Sequence, residues 1–141
     1  MIRHFTIHTA RRTALRRGGV VVEFALTAPV FFIFLLSAFE FGWLNVIRHT
    51  ADNAAYEAAR NAMVPGATSA EALARANEIL KIVGTRAASV TVSPETIDVD
   101  TREVTVTVDV PMDRNSLILP RFTKKTMIHS SSTLRTERAE N

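Results

Sequence analysis

Apolar and polar positions follow three patterns along this chain, and each marks a different part of it. The first pattern is an apolar run from Gly19 to Leu44, 26 residues long, about 39 Å if helical. Within it, Phe24 to Phe39 carries no charge at all. Glu23 and Glu40 stand at its two ends, roughly 25 Å apart along a helix, which is close to the thickness of a hydrocarbon core. The spacing therefore predicts a membrane-spanning helix with one carboxylate near each interface, where an acid costs far less than at the midplane. Trp43, followed by Asn45, Arg48 and His49, sits where an aromatic residue marks the outer boundary. Pro29 removes one backbone hydrogen bond and predicts a bend, which membrane helices tolerate.

The helical period does not stop at the boundary. Leu44, Ile47, Ala51, Ala54, Ala55, Ala58, Ala59 and Ala62 form one stripe through Met63, with Asp52, Glu57 and Arg60 mostly off it. One helix from about Val20 to Met63 would be some 65 Å long, and its alanines permit close approach of another element. Pro65-Gly66 ends it. Thr68-x-x-Glu71 has the spacing of a capping box and opens a second helix. Leu73, Ala76, Ile79, Leu80 and Val83 make its apolar face, and Gly84 stops it. From there the period becomes two. Val90 and Val92 alternate with Ser and Thr, as do Ile97 and Val99, and Val104, Val106, Val108 and Val110 make the clearest strand. Asp100 to Glu103 reads as the hairpin link between the last two. Pro111 and Pro120 bracket a loop containing Leu117-Ile118-Leu119, and Lys124 to Leu134 supplies a final strand.

The expected class is α+β: a long N-terminal membrane-spanning helix continues into a small outer domain with a second helix and a short antiparallel sheet. The segments are a basic leader (1–18), a transmembrane helix (19–44), its membrane-distal continuation (45–64), a small α+β domain (65–134) and a polar tail (135–141). The 77 residues from Pro65 onward are marginal as an independent core, so the valine face should lie on the alanine stripe.

Charge refines this picture. The chain holds 17 Lys and Arg against 14 Asp and Glu, with no cysteine. Five of the bases, Arg3, Arg11, Arg12, Arg16 and Arg17, precede the apolar run with no acid among them. The remainder has 12 bases against 14 acids and is mildly acidic, so nucleic acid is not an expected partner. Arginines before the span orient the N-terminus to the cytoplasm. An acid-free, Arg-rich leader also suits a mitochondrial presequence, but an uncleaved apolar segment follows it directly. A secretory signal would need a small residue where Leu36 precedes Ser37-Ala38.

The string Gly18-Gly19-Val20-Val21-Val22-Glu23-Phe24 resembles the class III signal of type IV pilins and pseudopilins. There a membrane prepilin peptidase cuts after a glycine and a glutamate stands at the fifth mature position. Together with V-E-F-A-L-T-A-P-V-F, F-E-F-G and A-D-N-A-A-Y-E-A-A-R, residues 16 to about 60 are similar to TadE-like proteins, minor pseudopilins of the tight-adherence (Tad/Flp) pilus machinery. The resemblance implies a pilin-like fold, cleavage between Gly18 and Gly19, and Glu23 with Phe24 as assembly residues. It also implies a bacterial inner-membrane location with a periplasmic outer domain, and as partners the prepilin peptidase, other pilins and pseudopilins, the assembly platform and membrane lipid. Cleavage would create an α-ammonium about one turn from the Glu23 carboxylate, and opposite charges at an interface are cheaper paired than alone. Without processing, the chain reads as a single-pass anchored adaptor whose outer domain recruits a partner. Glu40 reads first as an outer-interface acid and second as a contact to a neighbouring subunit or the platform.

No residue pattern marks a catalytic centre. There is no nucleophile elbow, P-loop, dinucleotide glycine pattern or HExxH. His49 with Asp52, and His129 beside Ser130, Ser131 and Ser132, compose a Ser-His-Asp set only on paper. His4 and His8 are two ligands at most, short of a metal site. Arg121, Lys124 and Lys125 form a small solvated basic cluster. No enzymatic activity, cofactor, metal or small-molecule substrate is expected.

Overall fold

The computed structural model describes residues 10–98, 100–118 and 125–135, with side chains from Gly18 onward. Five elements follow in order: α1 (Ala10–Ala62), α2 (Ser69–Ile82), β1 (Ser89–Ser93), β2 (Glu103–Pro111) and β3 (Met127–Arg135). The class is α+β, as the periodicities require. The chain divides into two compact units, Met1–Ala38 and Phe39–Asn141.

In the first unit the described residues all belong to α1. Helix α1 begins before the glycine pair, ten residues ahead of the Val20 start that the sequence pattern gives. Ala10, Leu15 and the arginines between them are strong helix formers, and two glycines subtract only about 1 kcal/mol each from helix propensity. Its apolar side chains, Val20 through Phe34 among them, are exposed, as lipid-facing residues must be. The two hydroxyls within the uncharged run bond back along the helix: Thr27 Oγ1 donates to the Glu23 carbonyl at 2.9 Å and Ser37 Oγ to the Ile33 carbonyl at 2.8 Å. Both hydroxyls thus find an acceptor inside their own segment, the condition a hydrocarbon solvent imposes. Among the described residues this is the one helix long and apolar enough to cross a membrane.

The second unit holds the core. Ile47, Ala51, Ala54, Ala55, Ala58, Ala59 and Ala62 are buried along one face of α1. They share a single cluster with Val104, Val106, Val108 and Val110 of β2, with Met112 and Ile128, and with the buried face of α2. The sheet has the order β1-β2-β3, antiparallel throughout. β2 alternates strictly, with its four valines fully buried and Thr105, Thr107 and Asp109 on the opposite face. On that opposite face directly paired residues bond across the strands. Thr105 meets Thr133 at 2.8 Å, Asp109 meets His129 at 2.6 Å, and Glu103 meets Arg135 at 2.6 Å. Such cross-strand pairs contribute a few tenths of a kcal/mol to about 1 kcal/mol each.

Helix α2 opens with the expected capping box, in which the Glu71 amide donates to Thr68 Oγ1 at 3.3 Å and the Thr68 amide to Glu71 Oε2 at 2.8 Å. It closes in a Schellman motif: Gly84 N–H donates to the Lys81 carbonyl, Thr85 N–H to the Leu80 carbonyl, and Gly84 takes φ +69°, the left-handed conformation that glycine adopts without a Cβ penalty. Its buried face is Ala72, Ala76, Ile79 and Leu80. Leu73 and Val83, expected in that face, are only half-buried, and Ala72 replaces them, because a small residue fits closest to the core.

The hairpin differs from expectation. β1 pairs with β2 directly, Val90 opposite Val108 and Val92 opposite Val106. Ile97 and Asp98 lie in the connecting loop, and Val99 is outside the described residues. Ile97 has no free strand to pair with, because β1 and β3 hold both edges of β2. The segment instead folds on itself, Asp98 N–H donating to Thr101 Oγ1 at 2.9 Å and Thr101 N–H to the Asp98 carbonyl at 3.0 Å. The final strand begins at Met127, three residues later than the pattern gave.

The alanine stripe yields a direct test. Ala58→Leu forces three further heavy atoms between α1 and the valine face and should lower the stability of the full chain by about 1–3 kcal/mol, read from guanidinium unfolding in detergent. Ala70→Leu on the exposed side of α2 should change it by less than about 0.5 kcal/mol.

Candidate processing and assembly site

Helix α1 carries both groups of residues that the sequence singles out. The first lies in the first unit. Gly18, Gly19, Glu23 and Phe24 are all exposed, and a Cβ built on either glycine would meet nothing within 4 Å. Steric approach to the Gly18–Gly19 peptide is therefore open. The backbone there is helical, however, and a protease must unwind it to reach the carbonyl. Two adjacent glycines make this the cheapest place in α1 to do so.

The second group lies in the second unit, around Glu40. This carboxylate is 6% exposed and is held by its own chain. Ser116 Oγ donates to Oε1, Leu117 N–H to Oε1 at 3.3 Å, and Ile118 N–H to Oε2 at 2.8 Å. Hydrogen bonds to a charged acceptor are worth roughly twice those between neutral groups, so Glu40 fixes the loop that follows β2. One turn further along α1, the Trp43 indole N–H donates to the Asn115 carbonyl at 2.7 Å. The expected interfacial aromatic thus has its polar atom bound within the fold. The structure turns Glu40 inward, to its own loop.

Asn115 was not legible as important in the sequence. Its amide brackets one residue: Oδ1 accepts from the Arg86 N–H at 2.7 Å, while Nδ2 donates to the Arg86 carbonyl at 2.8 Å and to the Pro111 carbonyl at 2.6 Å. Arg86 precedes Ala87, which takes φ 55°, a conformation that costs a non-glycine residue of order 1 kcal/mol or more. The bracket holds the chain in that turn as it enters β1. A lone asparagine between two prolines gives no sequence signal, because its role depends on a residue 29 positions away.

The residues of the paper Ser-His-Asp set are sorted onto different faces. His129 Nδ1 pairs with Asp109 on the open side of the sheet. Ser130, its neighbour, points the other way and donates to Asp52 Oδ1 on α1 at 2.7 Å. Ser131 shares the face of His129, and its hydroxyl bonds with Thr107 at 3.3 Å. Asp52 is thereby a tie between α1 and β3, and alternation along the strand separates it from His129. His4, His8, Arg121 and Lys124 lie outside the described residues.

Residues 18–60 match the family model described as TadE-like protein. Over those residues the chain is similar to that family. No curated protein and no solved structure matches it. The TadE-like segment starts at Gly18 and takes in Glu23, Phe24, Glu40, Trp43, Asp52 and most of the alanine stripe. It comprises the apolar part of α1 and the helix that the outer unit packs on. A TadE-like match together with the apolar helix supports a membrane-anchored, pilus-associated protein.

Removing the Glu40 carboxylate should free the loop. Glu40→Ala should increase the rate of trypsin cleavage after Arg114 several-fold in the detergent-solubilised full chain, read by mass spectrometry of the fragments, while cleavage after Arg75 on α2 stays unchanged.

Proposed function

We propose that this chain is a minor pseudopilin-like structural protein of a Tad/Flp-type pilus, processed by a prepilin peptidase after Gly18. The observation that carries the reading is the TadE-like match beginning at Gly18, on a segment whose glycine pair is exposed. Five arginines before the span place the leader in the cytoplasm and the outer unit in the periplasm. Cleavage releases the basic leader and leaves Gly19 as an α-ammonium one turn from Glu23. In the membrane that ammonium has two partners to choose from: Glu23 of its own helix, or Glu23 of an adjacent subunit. The second choice sets the axial stagger of one subunit on the next, with Phe24 packing beside the pair. The function is then structural: the outer unit is presented on an anchored helix to other pilins, pseudopilins and the assembly platform.

The helical backbone through Gly18 and Gly19 favours one competing reading, an unprocessed single-pass adaptor whose leader continues α1 in the cytoplasm. Mass spectrometry of the membrane-extracted protein, from cells with an active prepilin peptidase, separates the two. The proposal expects a chain beginning at Gly19; a chain beginning at Met1 selects the adaptor.

Gly18→Phe should make the precursor accumulate, since the peptidase then meets a bulky residue on a more stable helix. Glu23→Ala should be cut normally but recover at least several-fold less partner subunit in co-purification, because the new ammonium loses its counter-charge. Unchanged recovery would contradict the pairing.

A further inference from the structure

The loop held by Glu40 is at an unusual place for a loop. Its anchor is flanked on α1 by Phe39 and Phe41, 58% and 68% exposed, which directly follow the uncharged run. Because Glu40 accepts the amides of Leu117 and Ile118, the backbone of 116–118 lies level with those phenylalanines. Trp43, one turn nearer the sheet, binds Asn115, so the loop descends along α1 toward its apolar part as its number rises. Leu117, in this stretch, is 55% exposed. A backbone amide at the edge of hydrocarbon costs several kcal/mol unless it is satisfied within the protein. A carboxylate there is costly too. Each removes the other's penalty: Glu40 takes two loop amides and one hydroxyl, and irregular backbone becomes tolerable at a depth where it is otherwise excluded.

We propose that Ser116–Ile118 is a second membrane contact of this protein, a loop that Glu40 holds against the outer face of the bilayer with Leu117 immersed in the acyl–headgroup boundary. Its surroundings suit that occupant. Arg86, whose backbone Asn115 grips, is exposed, as are Arg114, Lys125 and the acid Asp113. Long basic side chains lay their stems on apolar surface and their charges among lipid phosphates. The contact gives the outer unit a lipid-facing surface of its own, in addition to the apolar helix. The proposal rests on α1 spanning a membrane.

The chain has no cysteine, so single cysteines can be introduced without removing any. Phe34→Cys, Leu117→Cys and Tyr56→Cys, each labelled with an environment-sensitive fluorophore, would be reconstituted as full-length protein in phosphatidylcholine–phosphatidylglycerol vesicles carrying nitroxide-labelled lipid. Labels at 34 and 117 should be quenched and the label at 56 should not. In a Glu40→Ala background, quenching at 117 should fall several-fold toward the level at 56 while that at 34 is retained. Quenching at 34 with none at 117 would overturn the loop contact alone. Absence at both would overturn the membrane span on which it rests, and undiminished quenching at 117 without Glu40 would overturn the carboxylate's role in setting the loop's depth.

Discussion

The outer unit depends on the packing of alanines against valines. A three-stranded sheet cannot bury its apolar face by itself, and its central strand offers four alternate valines to one side. The second half of α1 meets that face with side chains no larger than a methyl over most of its length, so helix and sheet approach closely with little side-chain entropy lost. Each fully buried valine contributes about 1.5–3 kcal/mol, and the contribution requires the helix face to be present. The element that anchors the protein is therefore also half of its core, and the outer fold has no independent existence from it. Ser130 with Asp52 adds a polar tie at the same seam.

A second constraint is set by buried polar groups. Glu40 and Asn115 are two of the three buried polar residues in the described chain, with Ser130 the third, and all three are bonded to elements distant in sequence. Such groups are costly when unsatisfied and specify one arrangement when satisfied. Glu40 fixes the loop after β2 to α1, Asn115 fixes the same loop to the turn before β1, and the indole of Trp43 closes the remaining carbonyl. Together they close the end of the unit where its own stretch of α1 begins, and where close-packed alanine gives way to bulky aromatics.

Much of this was legible in the sequence, because it is written in short periods. The alanine stripe, the β2 valines, the capping box at Thr68 and the glycine stop at Gly84 each need only local spacing to be read. Local alternation misled at Ile97, since a strand is defined by its partner and β1 had already taken that edge of β2. Glu40 stood out as an acid at the end of an apolar run, but its ligands are 76–78 residues away and no period points to them. Asn115 carried no signal of any kind. The processing motif has the opposite character: Gly18, Gly19 and Glu23 are a matter of spacing alone and make no tertiary contact that would reveal them in a fold.

That difference bears on how the two halves of the chain relate in function. The buried core begins at Ile47, and its outermost polar anchor is Glu40. Cleavage after Gly18 would remove no residue that any of these interactions uses, so the outer unit would be the same before and after processing. What would change is charge. The full chain carries a formal +3, and five of its bases lie in the leader, so its loss turns the remainder to a formal −2 and adds one ammonium at the inner interface beside Glu23. Processing on this reading acts entirely on the electrostatics of the membrane segment: it removes the charge that pins the helix to the cytoplasmic face and supplies the one that an adjacent Glu23 requires. A fold completed beyond Phe39 can then be carried unchanged from the bilayer into an assembly.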